Sequence, residues 1–542
     1  MAKSNIVRGT MMLSGANFLS KLLGMLYTIP FFMLVGGTGG ALYNYAYVPY
    51  MIFISIATLG IPLAMSKFVS KYHSMGDYAT KESMFRTGMA IMIGTGFVAF
   101  AVMFLSAGWL AGLVIPNEKM ENSVEDVKFV IQMVSFALLI IPPMSLVRGY
   151  FQGHESMGPT AVSVVVEQIV RIGFVLAGAF VVIHVLGGTV TFAVGVATFA
   201  AFIGAIASAL VLLGYYKKRR PLIEKEMDEA EVESSFTRVQ MTKELLSYAG
   251  PFVLVGIATP LYQLVDQFTF NRAMAQIGQA GISEDLFSVI SFYGHKLAII
   301  PVTLATGLSL AVLPAITGAF TRDDYDEYTH YINQALLIII FIILPAVVGL
   351  SLLSDQAYGS FYSVDSISYA GPLLAYYAPV ALFFALFTVS ASILQGINRQ
   401  NFTLLSLSTG LGIKIIANVP FIMWFGAKGA VFATGLAVIT ASAMNLIKIY
   451  RVTRFNIRPL FKKTLLIAIM TTVMGTFVLL ANMIVGSFFA EEPSKLKLIT
   501  QLVFSVGIGA YIYFVIAYHT TLLERLLGSR VKRFSKVFFD FK

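Results

Sequence analysis

The chain has 542 residues, of which 57% are hydrophobic and only 12% are charged. Soluble domains carry about 25% charged residues, so this composition excludes an ordinary soluble protein and indicates a polytopic membrane protein. The chain contains no cysteine, which excludes disulfides, thiol chemistry and cysteine-based metal sites.

Fourteen apolar segments are long enough to cross a bilayer, because a membrane helix needs about 20 residues. With the N-terminus in the cytoplasm, most of the 38 lysines and arginines fall in cytoplasmic loops and ends. This asymmetry follows the positive-inside rule and explains the net charge of +10 without a nucleic-acid partner. The predicted spans are 10–35, 43–67, 86–113, 128–150, 160–183, 190–214, 245–272, 286–317, 330–353, 371–394, 402–424, 429–449, 464–486 and 498–522.

Short sequence matches indicate an internal repeat. Gln152-Gly153 recurs as Gln395-Gly396 at an offset of 243, and Asp77-Tyr78 recurs as Asp324-Tyr325 at an offset of 247. The longest polar stretch follows the sixth predicted span and divides twelve spans into two groups of six. Groups with an even number of spans insert in the same orientation, which predicts an axis along the membrane normal.

We therefore predict an all-α polytopic membrane protein with two pseudo-symmetric six-helix lobes, two extra C-terminal helices and both termini in the cytoplasm. The predicted boundaries are an N-terminal lobe at 1–216, a charged cytoplasmic linker at 217–244, a C-terminal lobe at 245–455, two further spans within 456–524, and a basic amphipathic cytoplasmic tail at 525–542.

Six ionisable residues lie deep inside the predicted spans. A charge at the bilayer centre costs about 2.5–3.5 kcal/mol and almost always faces protein or water. Because the basic residues outnumber the acidic ones, the interior is expected to be cationic and to suit an anion such as a phosphate or pyrophosphate headgroup. These residues are Lys21, Arg171, Lys296 and Lys414, which are basic, and Glu167 and Asp266, which are acidic.

Glu167 and Arg171 are four residues apart and share one helix face, so they are able to form an ion pair. The repeat offset carries Arg171 onto Lys414, whereas the position equivalent to Glu167 is Gly410. The cation is therefore what the two halves share. We expect Arg171 to receive an anion, and Glu167 to hold the arginine while the site is empty.

The other deep polar residues leave two interpretations open. Asp266 stands alone in the seventh predicted span, where it either pairs with Lys414 or binds a coupling cation or a proton. Asn418 lies four residues after Lys414 on the same face and offers an amide oxygen, and Gln263 shares the helix of Asp266. For both amides the alternative is a hydrogen bond between helices.

An acidic cluster raises the remote alternative of a membrane prenyl-transfer enzyme. Asp323, Asp324 and Glu327 match a pattern that holds magnesium diphosphate in such enzymes. The segment aligns with the polar loop around Asp77, which favours a solvated loop. The sequence also lacks the metalloprotease, nucleotide-binding and nucleophile motifs. We expect no catalytic residue, metal site or cofactor, and no direct use of ATP.

The segment "LSKLLGMLYTIP" in the first predicted span, "FYGHKLAIIP" around Lys296, and the two repeats resemble the multidrug/oligosaccharidyl-lipid/polysaccharide (MOP) exporter superfamily. Within it, the chain is similar to the polysaccharide-transport branch, near the YtgP and SpoVB-like proteins and, more distantly, the MurJ lipid II flippases. Those proteins carry S-R-x-L-G in the first span, where this chain has Ser20 to Gly24 with Lys21 in place of the arginine.

The resemblance implies a V-shaped, multi-pass protein of the bacterial plasma membrane that moves a polyprenyl-pyrophosphate-linked saccharide, with lipid II as the expected substrate. Lys21, Arg171, Lys296 and Lys414 would engage the pyrophosphate in a central cavity, and the lobes would rock in alternating access. The last two spans would form a groove for the lipid tail. Membrane lipids and cell-wall synthesis proteins are the expected partners.

The coupling and the exact cargo stay open at this point. Some MurJ proteins bind sodium between spans 7, 11 and 12, and Lys414 falls close to that position, so coupling to Na⁺, H⁺ or the membrane potential is undecided. One alternative is an exporter of another lipid-linked oligosaccharide, such as a teichoic, capsular or exopolysaccharide unit. The other is a cation-coupled multidrug antiporter, which the deep cations disfavour because its substrates are usually cationic.

Overall fold

The computed structural model describes residues 2–58, 60–115, 120–228, 239–243, 245, 257–310, 312–489 and 492–527. These residues are almost entirely helical and contain no β-strand, which confirms the predicted all-α class. Eleven helices are long and apolar enough to cross a membrane, or up to twelve if a bent pair is one span. The count of fourteen and the side of the termini stay predictions. Parts of the predicted seventh span, linker and C-terminal tail lie outside the described residues.

The chain divides into two compact units, Met1–Arg272 and Ala273–Lys542. A ninth helix, α9 (Ala258–Gln276), begins in the first unit and contributes its last residues to the second. The other described helices of the first unit are α1 (Ala2–Leu26), α2 (Thr28–Thr58), α3 (Ile61–Ser74), α4 (Tyr78–Val114), α5 (Val124–Ser135), α6 (Ala137–Gly153), α7 (Met157–Phe180) and α8 (Val190–Asp228).

The second unit continues with helices of the same kind. Its described helices are α10 (Ser283–Ser291), α11 (Tyr293–Leu310), α12 (Leu313–Thr321), α13 (Tyr325–Leu352), α14 (Ser354–Phe361), α15 (Ile367–Tyr377), α16 (Val380–Gly396), α17 (Gln400–Phe425), α18 (Ala427–Thr453), α19 (Ile457–Ser487), α20 (Lys495–His519) and α21 (Leu522–Leu527).

The kink in α2 agrees with the predicted spans, whereas the end of α8 does not. Helix α2 contains Gly36 with φ 69° and ψ −167°, which no helical residue adopts, and this kink lies where the first predicted span ends. Glycine tolerates the positive φ because it has no Cβ. At the other end of the unit, α8 runs on to Asp228, so the first part of the predicted linker is helical.

The repeated Asp-Tyr pair marks a helix start in each unit. The Asp77 carboxylate accepts a hydrogen bond from the backbone N–H of Thr80 at 2.9 Å, and Asp324 accepts one from Glu327 at 3.1 Å. Aspartate is a preferred N-cap because it satisfies a backbone donor that has no helical acceptor. The residue before each cap is left-handed, with φ 73° at position 76 and 58° at position 323.

This capping accounts for part of the acidic cluster that raised the prenyl-transfer alternative. Asp324 is used as the cap of α13, and Glu327 forms an ion pair with Arg322. The described part of the chain contains no group of three or more metal-ligating side chains. The acidic cluster is therefore a helix start with its own local partners.

The repeated Gln-Gly pair marks a close helix contact in each unit. A Cβ on Gly153 would lie 2.6 Å from the Ser66 carbonyl oxygen of α3, and one on Gly396 would lie 2.9 Å from Thr317 Oγ1 of α12. Both helices then end in a left-handed residue two positions later, Glu155 and Asn398, with φ 58° and 56°. The internal repeat therefore extends from the sequence to the backbone of each unit.

A proline inside α2 is accommodated by side chains of α9. Pro49 has no N–H, so the Tyr45 carbonyl, four residues earlier, has no donor in its own helix. The buried Gln267 side chain donates to that carbonyl at 2.9 Å, and Asn271 donates to the Tyr45 hydroxyl at 2.7 Å. A neighbouring helix therefore replaces the bond that proline removes, as apolar surroundings require.

In the second unit a tyrosine bonds the carbonyl that a proline leaves without a donor, and this bond leads to a prediction about stability. Pro345 frees the Phe341 carbonyl of α13, and the Tyr513 hydroxyl of α20 donates to it at 2.7 Å. We expect Tyr513→Phe to lower the free energy of unfolding by about 1 kcal/mol, because a buried acceptor loses its donor. Thermal unfolding in detergent measures this. Tyr450→Phe, at a tyrosine that is 44% exposed, is the control, and equal losses in both variants would contradict the prediction.

Candidate functional site

The deep carboxylate of α7 bonds an arginine that the sequence interpretation did not select. Arg148 Nη2 donates to Glu167 Oε2 at 2.6 Å, and the same guanidinium donates to Ser163 Oγ at 3.0 Å and Ser208 Oγ at 2.7 Å. In this structure Glu167 therefore pairs with Arg148 and not with Arg171. Arg148 forms the ion pair because its forked guanidinium donates to acceptors on α7 and α8 at the same time. Arg171, four residues from Glu167 on the same helix, would offer a single contact.

Arg171 lies among tyrosines of α2. Its Nη2 donates to the Tyr43 hydroxyl at 3.1 Å, and its guanidinium carbon lies 5.2 Å from the centre of the Tyr47 ring. The Tyr43 and Tyr47 rings stack at 5.6 Å, and Tyr50 follows at 5.4 Å from Tyr47. Positions 43, 47 and 50 share one helix face because they are four and three residues apart. That spacing is visible in the sequence, although these uncharged tyrosines do not appear in the pattern of deep charges.

The two arginines differ in whether a carboxylate balances their positive charge. Arg148 is neutralised by Glu167 and ties α6 to α7 and α8. Arg171 forms no ion pair with any described carboxylate, and its contacts with the hydroxyl and the ring are to neutral groups. A cation over an aromatic ring gains about 0.5–2 kcal/mol without losing its charge. Arg171 is therefore a half-buried residue that still presents a positive charge.

Lys414 has partners that differ from the predicted anion. Its side chain is fully buried, and Nζ donates to Asn418 Oδ1 at 2.9 Å, to the Ala430 carbonyl at 3.0 Å and to Thr434 Oγ1 at 2.6 Å. The three N–H groups of the ammonium thus match three oxygen acceptors. Asn418 thus offers its amide oxygen to Lys414 on the same helix. In this structure Lys414 links α17 to α18, and its role in substrate binding stays a prediction.

The remaining predicted residues occupy different surroundings. Lys21 is exposed on α1, and Lys296 is half-buried on α11. Asp266 is buried on α9, where Gln263 of the same helix is half-buried. The pairing of Asp266 with Lys414 and a role in ion coupling stay predictions. The structure thus joins Lys414 to Asn418 and separates Glu167 from Arg171 by giving each its own partners.

An apolar groove lies on the second unit where the sequence predicted a groove for a lipid tail. Its volume is about 350 Å³. Helices α19 and α20 form two walls, and α13, which was not predicted to take part, forms the third. The lining includes Phe341, Pro345, Met474, Val478, Val506 and Tyr513.

Comparisons with known proteins agree with this architecture. A family profile described as polysaccharide biosynthesis protein matches residues 6–320, and a profile named MatE matches residues 293–420. The lipid II flippase MurJ of Bacillus subtilis (strain 168) is 42% identical over 534 residues, which cover 98% of each chain.

Two solved structures share the fold. A lipid II flippase MurJ in an inward closed conformation is 17% identical, has a TM-score of 0.67, and matches 95% of this chain and 99% of its own. An inward-facing multidrug resistance MATE family transporter of the MOP superfamily is 14% identical, has a TM-score of 0.62, and matches 81% of this chain and 95% of its own. At these identities the likeness is one of fold alone.

The relative and both structural neighbours are transport proteins, which confirms the prediction of a transporter over that of an enzyme. Together with the many apolar helices, they also confirm a multi-pass protein of the bacterial plasma membrane. The identity of 42% over nearly the whole chain shows the family as well. The chain therefore belongs to the polysaccharide biosynthesis protein family of the MOP exporter superfamily.

Proposed function

We propose that this protein is a lipid II flippase, which moves the lipid-linked peptidoglycan precursor from the inner to the outer leaflet. The observation that carries the proposal is the identity of 42% with the MurJ flippase over 98% of both chains. Because the match covers nearly the whole of both chains, it includes the segments that would handle the substrate.

In the proposed mechanism a central cavity is cationic and opens to each side of the membrane in turn. Arg171 binds the pyrophosphate, because a guanidinium fork matches the oxygens of a phosphate. Lys21 and Lys296 add positive charge. The ammonium of Lys414 already occupies its three oxygen acceptors, so the mechanism uses the membrane potential or a proton in place of sodium at that position.

The lipid tail is proposed to lie in the groove between α13, α19 and α20, which suggests a test with two similar valines. Val506 lines the groove and is 52% exposed, whereas Val503 of the same helix is 62% exposed and is not among the lining residues. We expect Val506→Trp to reduce flipping by about tenfold, because the indole occupies space that the tail needs. Val503→Trp should be close to wild type, and equal rates for both variants would exclude the groove.

The substrate is tested in cells depleted of other lipid II flippases. An external enzyme that cleaves lipid II in the outer leaflet releases a product that can be quantified. We expect product with the wild-type protein and none without a transporter. No product in the presence of abundant, correctly inserted protein would overturn the assignment of lipid II.

A second candidate cargo is another polyprenyl-linked saccharide, which the description of the matching family favours. The same cells, supplied with a different lipid-linked glycan, would then show outward movement of that glycan. The multidrug alternative predicts resistance to cationic drugs in cells that produce the protein. Interaction with cell-wall synthesis proteins stays a prediction.

A further inference from the structure

The partners of two neighbouring arginines differ in a way that folding alone does not require. Arg148 and Glu167 form an ion pair that also bonds two serine hydroxyls. Arg171, one helical turn from Glu167, has a hydroxyl and an aromatic ring as its partners. An arginine inside a membrane protein is costly unless it is paired. The nearest carboxylate along the helix, Glu167, is bonded to Arg148. The positive charge of Arg171 is therefore not balanced by a carboxylate of the described residues.

The geometry around Arg171 restrains the guanidinium on one edge and one face. The Tyr43 hydroxyl, on a side chain that is 1% exposed, accepts one N–H, and the Tyr47 ring covers one face. The Tyr27 hydroxyl lies 3.5 Å from that of Tyr43 and donates to it, which a hydroxyl with two lone pairs allows. Arg171 makes no other hydrogen bond within the described residues, so its other N–H groups remain for a ligand.

We infer that Tyr43 and Tyr47 are positioning residues, which hold Arg171 charged and correctly oriented for the pyrophosphate of the transported lipid. The inference rests on the proposed function. Neutral aromatic partners stabilise the cation and leave the counterion role to the substrate. Because the guanidinium is already oriented, less side-chain freedom is lost when the anion binds.

The test measures dissociation constants of purified protein in detergent micelles for lipid II and for polyprenyl pyrophosphate without the sugars. Tyr47→Leu removes the ring and should raise both constants by about fivefold. Tyr47→Phe keeps the ring and should restore nearly wild-type binding. Tyr43→Phe removes the acceptor and should raise both constants by a similar factor of about five.

A matched control comes from the second unit, where Lys428 Nζ lies 4.6 Å from the centre of the Tyr376 ring. Tyr376→Leu removes the same type of contact and should leave both dissociation constants unchanged. Thermal unfolding identifies any variant that fails to fold. If Tyr47→Leu does not fold, Tyr43→Phe is judged by the same criterion.

Three results separate this inference from the proposed function. A wild-type protein that binds both ligands, with a folded Tyr47→Leu or Tyr43→Phe that binds them equally well, overturns the positioning role alone. Equal weakening by Tyr47→Phe and Tyr47→Leu also overturns the role of the ring. A folded wild-type protein that binds neither ligand overturns the proposed function and this inference with it.

Discussion

Replacing Arg171 with glutamine is expected to reduce lipid II exposure by at least about tenfold while the amount of folded protein stays close to wild type. Hydrogen bonds to a charged group contribute about 1.5–3 kcal/mol, and glutamine supplies neither the charge nor the fork. Glutamine still offers an amide N–H to the Tyr43 hydroxyl, which limits the effect on folding. The measurement is the outer-leaflet cleavage of lipid II, divided by the membrane level of the protein.

The neighbouring ion pair provides the control for this substitution. Glu167→Gln leaves the guanidinium of Arg148 without its carboxylate, which costs about 3–5 kcal/mol when a mostly buried pair is broken. The expected result is less folded protein. The double variant Arg148→Gln with Glu167→Gln removes both charges and should recover much of the loss. Wild-type exposure per molecule in Arg171→Gln would remove this arginine from the proposed binding site.

The contrast between these arginines shows where sequence reasoning reached its limit. The spacing of Glu167 and Arg171 correctly placed both on one helix, but it carried no information about other helices. Arg148 lies near the end of its predicted span, where a basic residue is expected from the positive-inside rule. Its contacts with Ser163 and Ser208 depend on how α6, α7 and α8 pack, and no local pattern encodes that packing.

The internal repeat, in contrast, was predictable because its landmarks are local. An aspartate caps a helix through a backbone N–H three residues away, and Asp77 and Asp324 do so in their own units. Glycine at positions 153 and 396 lets a neighbouring helix approach closely. Such requirements fall on single residues, so they survive as short matches even where the rest of the two halves has diverged.

Lys414 has one feature that is predictable from the local sequence and another that depends on helix packing. Its depth in an apolar helix and its contact with Asn418 follow from sequence spacing. Its role as a link between helices could not be predicted in this way. One of its acceptors is the main-chain carbonyl of Ala430, and a backbone oxygen has no signature in the sequence. The side chain of Thr434 comes from the same neighbouring helix. Its oxygen acceptors and its complete burial indicate that the ammonium stabilises the contact between α17 and α18.

Lys414→Met is therefore expected to lower the free energy of unfolding by about 3 kcal/mol. Methionine fills a similar volume, but the oxygens that faced the ammonium lose a charged donor inside an apolar environment. Part of the loss is offset, because the Thr434 hydroxyl also donates to the Ala430 carbonyl at 2.9 Å. Thermal unfolding of the purified protein measures the change.

Lys448→Met is the matched control, since Lys448 is a half-buried lysine of α18 whose ammonium lies 5.3 Å from the centre of the Phe402 ring. It should change stability by less than about 1 kcal/mol. The comparison also decides how a loss of flipping in Lys414→Met is interpreted. Lost flipping with lost stability places Lys414 in the link between α17 and α18. Lost flipping in a fully stable variant would return Lys414 to the substrate-binding cations and require a second conformation in which its ammonium leaves these three oxygens.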